Sequence, residues 1–263
     1  EFHSAAPTVE EVTLFGDTYS SLSMPNAITT LEVGHPALPM MTKMVQVPLC
    51  EGFSFELSNV VADTIDGSLL GISHAIMPAQ PSRSKSDRSE PVLAKDQALY
   101  ATNAFTGSSL FSIEKVGVAR SVNLASVKFC PIQYNPVSGQ LIVVKSATVT
   151  VTYKNADITA TQQMAQRYGS PAFGVQTLNA LPSTKDIASA QQAPIHYLIV
   201  AHSMFRGELD EFIAWKQRKG FLVTVGYTDD PAVGTTSTAI AAWVKAFYTN
   251  ATADLPAPTY LLI

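Results

Sequence analysis

Cysteine is nearly absent: Cys50 and Cys130 are the only two in 263 residues. A small scaffold held together by several disulfides is therefore excluded, and spacing alone leaves one bridge open against two free thiols. Neither cysteine has a histidine near it in sequence, so neither reads as a nucleophile. Charge is sparse as well, with 14% charged residues and a net charge of −4. No basic field exists to attract phosphates, which excludes nucleic acid as a partner. No apolar run approaches the ~20 residues needed to span a bilayer. The N-terminus lacks a basic start followed by an apolar run, so no signal peptide is legible. Histidine is scarce too: His35 and His74 have no partner at ligand spacing, and no zinc site is read. His196 and His202, at the start of an apolar strand and just beyond it, are assigned structural places.

What the chain does have is apolar content, 46% of its residues, over a length that suits two domains. From Val9 to Tyr153 the pattern is that of a β protein. Phe53, Phe55 and Leu57 alternate with Ser54, Glu56 and Ser58, which puts the apolar side chains on one face of a strand. Apolar residues of both parities between Val122 and Phe129 predict a bulged strand or one buried on both faces. A hairpin is predicted from strands Ser126 to Gln133 and Leu141 to Tyr153, joined by the turn residues Tyr134 to Gln140 with their Asn-Pro and Ser-Gly steps. Short strands without helical periods between them point to an antiparallel sandwich or barrel.

Between Asn155 and Pro194 the text turns small and polar, with a short helix over Thr161 to Tyr168 and a linker over Ser183 to Gln192. Lys185-Asp186 is the charged, protease-accessible step within it. After Pro194, strands and helices alternate. Ile195 to Ala201 is a strand. Ser203 is expected to cap a helix bearing Phe205, Leu209, Phe212 and Ile213, which closes at Lys216, Arg218, Lys219 and Gly220. Phe221 to Gly226 is the second strand, a helix capped near Ser237 follows, and Pro258 to Ile263 begins a third strand. This is the opening of a doubly wound parallel sheet. Three such strands with two helices leave a face and an edge uncovered, so further chain or a second polypeptide is expected to complete the sheet. The Asp229-Asp230 loop has too few carboxylates for a calcium site and is read as a solvated turn.

One stretch stands apart from these elements. Gln80 to Arg88 is a polar, basic, breaker-rich loop inside an apolar region. Pro81 favours an extended approach, and the serines flanking Lys85 let the backbone lie close to another surface. A lysine offers a long apolar stem with a terminal point charge, which suits a deep, narrow pocket with a carboxylate at its base.

Three segments after Pro194 resemble the start of a gingipain catalytic domain, nearest to the lysine-specific branch. They are Pro194 to Ala201, Trp215 to Phe221, and Tyr227 to Asp229 with Val233 to Thr236. Upstream, Gly34-His35-Pro36-Ala37-Leu38-Pro39, Pro131-Ile132-Gln133-Tyr134 and the loop Gln80 to Asp87 resemble the gingipain propeptide. The resemblance implies an antiparallel β-sandwich propeptide, residues 1–185, followed by the beginning of a caspase-like α/β parallel-sheet domain, residues 186–263. It implies the latent precursor of a cysteine endopeptidase that cuts protein substrates after lysine. Such an enzyme is secreted or displayed at the surface of a Gram-negative bacterium by way of the periplasm. In the family a basic propeptide residue fills the specificity pocket; Lys85 is the matching position, with Arg83 and Arg88 as fallbacks. The propeptide's partner is then its own catalytic domain, and Lys185-Asp186 is the maturation bond. The family's catalytic histidine and cysteine belong to segments after the third strand, so no catalytic residue is assigned and this chain alone should be inactive. No cofactor is required, although a complete catalytic domain could bind calcium or sodium. Two other readings compete: a stand-alone protease inhibitor, and a gingipain-like component of a secretion system.

Overall fold

The computed structural model describes residues 1–170, 172, 175–179, 181, 194–252 and 254–263. They form two compact units that do not follow chain order. The first takes Glu1–Met44, Gly52–Lys115 and Ser126–Lys154; the second takes Val45–Glu51, Val116–Ala125 and Asn155–Ile263.

In the β-rich part, β1 (Phe2–His3), β6 (Gly52–Asp66), β9 (Ile132–Tyr134) and β10 (Gln140–Lys154) make one sheet, with β10 at its centre. A second sheet has the order β4 (Ile28–Thr29), β5 (Pro39–Gln46), β8 (Val122–Phe129), β7 (Phe111–Ala119), and β2 (Thr8–Leu14) pairs with β3 (Asp17–Ser23) as a hairpin. The alternation read from sequence appears in the antiparallel register of β6 on β10. Phe53, Phe55 and Leu57 face Tyr153, Val151 and Val149, while Ser54, Glu56 and Ser58 face Thr152, Thr150 and Thr148. Phe111 and Phe129 of one sheet pack with Val144 and Ala147 of the other, so this is a sandwich with a shared core. A second cluster joins Leu22, Leu38 and Ile76 to Ile132, Tyr134 and Leu141.

One expectation changes here, and one hairpin is new. The strand predicted over Ser126 to Gln133 is broken: β8 ends at Phe129, and β9 resumes at Ile132 in the other sheet. Pro131 has no N–H to continue a ladder, and its carbonyl accepts instead from Val144 N at 2.8 Å. The hairpin turn survives this break, with Tyr134 opposite Leu141 and Asn135 Oδ1 accepting from Val137 and Ser138 N–H at 3.1 Å each. The β2–β3 hairpin has no counterpart in the sequence reading. It turns at Phe15 (φ 51°) and Gly16 (φ 90°), and phenylalanine is a poor marker for a left-handed turn position.

A single helical turn, α1 (Gln97–Tyr100), belongs to the first unit; in the second, α2 (Ile158–Tyr168) is capped by Asp157, whose side chain accepts from Ala160 N. Leu49 N–H donates to Thr161 Oγ1 of this helix at 2.8 Å, and Val47 N–H donates to Asn123 O at 3.0 Å. The parallel sheet has the order β12 (Phe221–Tyr227), β11 (Ile195–Ala201), β13 (Tyr260–Leu262). Helices α3 (Asp210–Arg218) and α4 (Ser237–Thr249) make the two crossovers. The first crossover helix starts later than expected. Residues Ser203–Phe205 form a separate 3₁₀ turn capped by His202, and Gly207 at φ 92° interrupts the backbone before α3 begins at Asp210. At its other end, Gly220 sits at φ 87°, as a residue following a helix should. Gly226 in β12 is buried where a Cβ would lie 2.5 Å from the Trp243 ring, so α4 packs directly on strand backbone.

Fully buried His196 holds the start of this sheet together. Its Nδ1 lies 2.8 Å from Pro256 O, and its Nε2 lies 2.9 Å from Thr224 Oγ1. A carbonyl only accepts, so Nδ1 carries the proton and Nε2 accepts from the Thr224 hydroxyl. Both histidine nitrogens are therefore structural.

Candidate functional site

The loop after Pro78 is closed at its base by one side chain. Gln80 Nε2 donates to Pro78 O at 3.0 Å and to Ala94 O at 2.8 Å, while Gln80 Oε1 accepts from Ala94 N–H at 3.0 Å. An amide side chain here does the work of a backbone bridge.

Beyond that base the loop is organised by its own polar residues. Asp87 N–H donates to Ser84 O at 3.0 Å, closing a β-turn with Lys85 and Ser86 as its central pair. Arg83 Nε donates to Asp87 Oδ2 at 3.1 Å, and its Nη2 reaches the Ser89 hydroxyl at 3.1 Å and the Ser89 carbonyl. Asp87 Oδ1 accepts from both the N–H and the hydroxyl of Ser89. These bonds, from the Ser89 N–H first, then its hydroxyl and Arg83, hold the Asp87 carboxyl below the ordinary carboxylate value. Arg83 is thus engaged within the loop. Lys85, at the exposed apex, has no hydrogen bond or ion pair among the described residues. Arg88 is exposed beside it. Sequence alone marks neither Gln80 nor Asp87 for these contacts beyond the Asp-x-Ser spacing of Asp87 and Ser89, which favours an Asx turn.

The carboxyl ends of β11 and β13 border an apolar hollow of about 340 Å³, lined by Ile199, Ala201, His202, Thr228, Leu262 and Ile263 among others. Open α/β sheets bind ligands at this end. His202 Nδ1 accepts from Met204 N–H at 3.1 Å, so its ring caps the 3₁₀ turn. Cys50 and Cys130 are both free thiols. Burial, foremost, pushes the Cys130 thiol up, the opposite of what a nucleophile needs. Asp229 is paired with Arg206 at 2.8 Å, and Asp230 accepts from Ala232 N–H. No cluster of three His, Cys, Asp or Glu suited to a metal occurs among the described residues. No helix is long and apolar enough to cross a membrane. Lys185 and Asp186 lie outside the described residues.

Comparison with known proteins bears on both parts. Residues 1–167 match the model of the C25 propeptide, and residues 190–263 match that of peptidase family C25. The chain is 34% identical to Lys-gingipain HG66 of Porphyromonas gingivalis over 252 residues, 94% of this chain and 14% of that protein. It is 27% identical to gingipain R1 of the same organism over 169 residues, 62% of this chain and 16% of that protein. The chain therefore spans about a seventh of the length of the Lys-gingipains it matches. A solved structure concerned with the zymogenic latency of gingipain K superposes with a TM-score of 0.55 at 31% identity, over 59% of this chain and 85% of the other. The complex of the pro- and mature domains of RgpB, also from Porphyromonas gingivalis, shares the fold at a TM-score of 0.50 and 16% identity, over 63% of this chain and 87% of its counterpart.

Proposed function

Because this chain belongs to peptidase family C25, as a gingipain-type propeptide followed by the start of the peptidase domain, we propose that it keeps a lysine-specific cysteine endopeptidase latent by presenting Lys85 to the enzyme's specificity pocket. The observation that carries this reading is the self-stapled loop: Arg83, Asp87 and Ser89 bond one another, leaving Lys85 at the apex exposed and without a partner among the described residues. A rigid loop loses little entropy on docking. The lysine stem fills a narrow apolar shaft, and its ammonium meets a carboxylate at the base. Arg83 is less suited to the same place, since leaving the loop would break its bonds to Asp87 and Ser89.

In this reading residues 1–185 are the inhibitory propeptide and 186–263 open the peptidase. The bond between Lys185 and Asp186 is the maturation site, cut by the enzyme's own lysine specificity. Thiolate attack on a carbonyl needs no cofactor, and calcium or sodium would bind elsewhere in the complete peptidase. The enzyme acts on proteins outside the cell or at the surface of a Gram-negative bacterium, after export through the periplasm.

The test is the intact mass and fragment map of the full-length product, incubated with and without a thiol-alkylating agent. Cleavage after Lys185 that requires a free thiol is expected. A product that stays whole in both cases contradicts self-processing and favours a stand-alone inhibitor.

A further inference from the structure

Arg120 is an unusual residue in an unusual place. It occupies the turn between β7 and β8 at φ 58°, a left-handed backbone that side chains with a Cβ adopt only when their surroundings hold them there. What holds it is its own guanidinium. Nε donates to Tyr168 O at 2.6 Å, Nη1 to Pro258 O at 2.9 Å, and Nη2 to Ala257 O at 2.9 Å and Thr259 Oγ1 at 3.3 Å. No carboxylate pairs with it among the described residues. Three neutral carbonyls from two separate segments take up its donors, a task for which a planar fork is suited and a point charge is not.

Arg120 and its acceptors at Ala257, Pro258 and Thr259 belong to different parts of the protein. Arg120 lies in the region matching the C25 propeptide, whereas residues 257–259 lie in the region matching the peptidase. All of them nevertheless fall in one compact unit. A second propeptide arginine makes a similar bridge: Arg167, in the last turn of α2, donates to the carbonyl of Thr249, the last residue of α4. The end of a helix is its negative pole, which favours a cation there. Tyr248 of α4 also donates to Pro258 O, at 2.9 Å, so two side chains share the same carbonyl.

The location matters. Residues 257–259 lead into β13 at the start of the parallel strands, beside the buried His196 that bonds Pro256. The apolar hollow lies at the other end, where the strands finish. A contact at the start of the strands leaves the ligand-binding end of the sheet free.

We infer that Arg120 is the anchor by which the propeptide keeps hold of the peptidase once the chain between them is cut, its guanidinium clamping the carbonyls of Ala257 and Pro258 at the end of the sheet remote from substrate. Inhibition then has two separable parts. The Lys85 loop occludes, and the Arg120 turn retains. This rests on the reading of the chain as a propeptide joined to the start of its enzyme.

The experiment uses the full-length precursor with a recognition site for an unrelated endoprotease placed within residues 182–193. After cutting, propeptide release is followed by size exclusion and by surface-capture dissociation, and peptidase activity is followed in parallel. Arg120→Ala is expected to speed release by roughly 100-fold, because several charge-assisted bonds are lost together. Arg120→Lys keeps the charge but cannot span the carbonyls, and is expected to speed release about 10-fold. If the alanine variant does not fold, the lysine variant decides. Release at the wild-type rate from a folded variant overturns the anchor. A wild-type precursor that is fully active after cutting with its propeptide still bound overturns the latency reading instead, and leaves the anchor standing.

Discussion

Gln80 and Ala94, fourteen positions apart, are joined by a reciprocal pair of hydrogen bonds between a side-chain amide and a backbone peptide group, at 2.8 Å and 3.0 Å. The Lys85 loop is tethered at that pair. Replacing Gln80 by methionine keeps the stem and removes both bonds, leaving the Ala94 N–H without its partner. The expected cost is about 1–2 kcal/mol, felt locally. Amide exchange at Ala94 and through the loop reads it directly: protection should fall there and stay unchanged in β6 and β10.

The loop's internal staple depends on the charge of Asp87. The Ser89 N–H, the Ser89 hydroxyl and Arg83 stabilise the carboxylate and lower its pKa from 3.8. A group whose folded pKa is depressed contributes order above its ordinary pKa and loses that contribution as pH falls through the lowered value. The loop should therefore remain stapled at mildly acidic pH and loosen only below 3.8. Chemical-shift titration of the Asp87 carboxyl together with Arg83 Nε should show both moving in that range. Arg83 loosening well above it would contradict the staple.

His196 gives the parallel sheet a pH dependence of its own. Burial, foremost, lowers its pKa from the ordinary 6.5, against a smaller opposing effect of the bond to Pro256. Its neutral form is the one that folds, and the unfolded chain takes up the proton first. Stability should be flat above pH 6.5 and decline as pH falls below it, until the folded-state value is reached. Thermal melts of the full chain across this range test the slope. His196→Leu should flatten it and cost on the order of 3 kcal/mol at neutral pH, because the Thr224 hydroxyl and Pro256 carbonyl lose their shared partner.

Local chemistry was legible in the sequence where a residue type carries its own conformational preference. The serine-rich loop around Lys85, the Asn135 turn, the Gly220 helix end and the change of period after Pro194 all follow from backbone propensity over a few residues. Relationships set by distant pairing were not legible. Nothing in Val45–Glu51 or Val116–Ala125 signals that they fold with Asn155–Ile263. No pattern marks Gln80 as the partner of Ala94, or Arg120 as a residue held in a left-handed turn by carbonyls 137 and 138 positions away. Where two local signals competed, the stronger breaker won. Pro131 divided an apolar run that reads as one strand, and Gly207 divided an amphipathic run that reads as one helix.

Latency through Lys85 is most directly tested by hydrolysis of a lysyl peptide substrate by the uncut full-length precursor. Lys185→Ala removes the proposed maturation bond, so that processing does not obscure the result. In that background Lys85→Ala is expected to raise activity on the order of 100-fold, the effect of removing one partner of the buried charge pair proposed for the latent state, while Arg83→Ala should leave the precursor close to latent. A folded Lys85→Ala precursor as silent as its parent would contradict the plug and remove Lys85 from the specificity pocket.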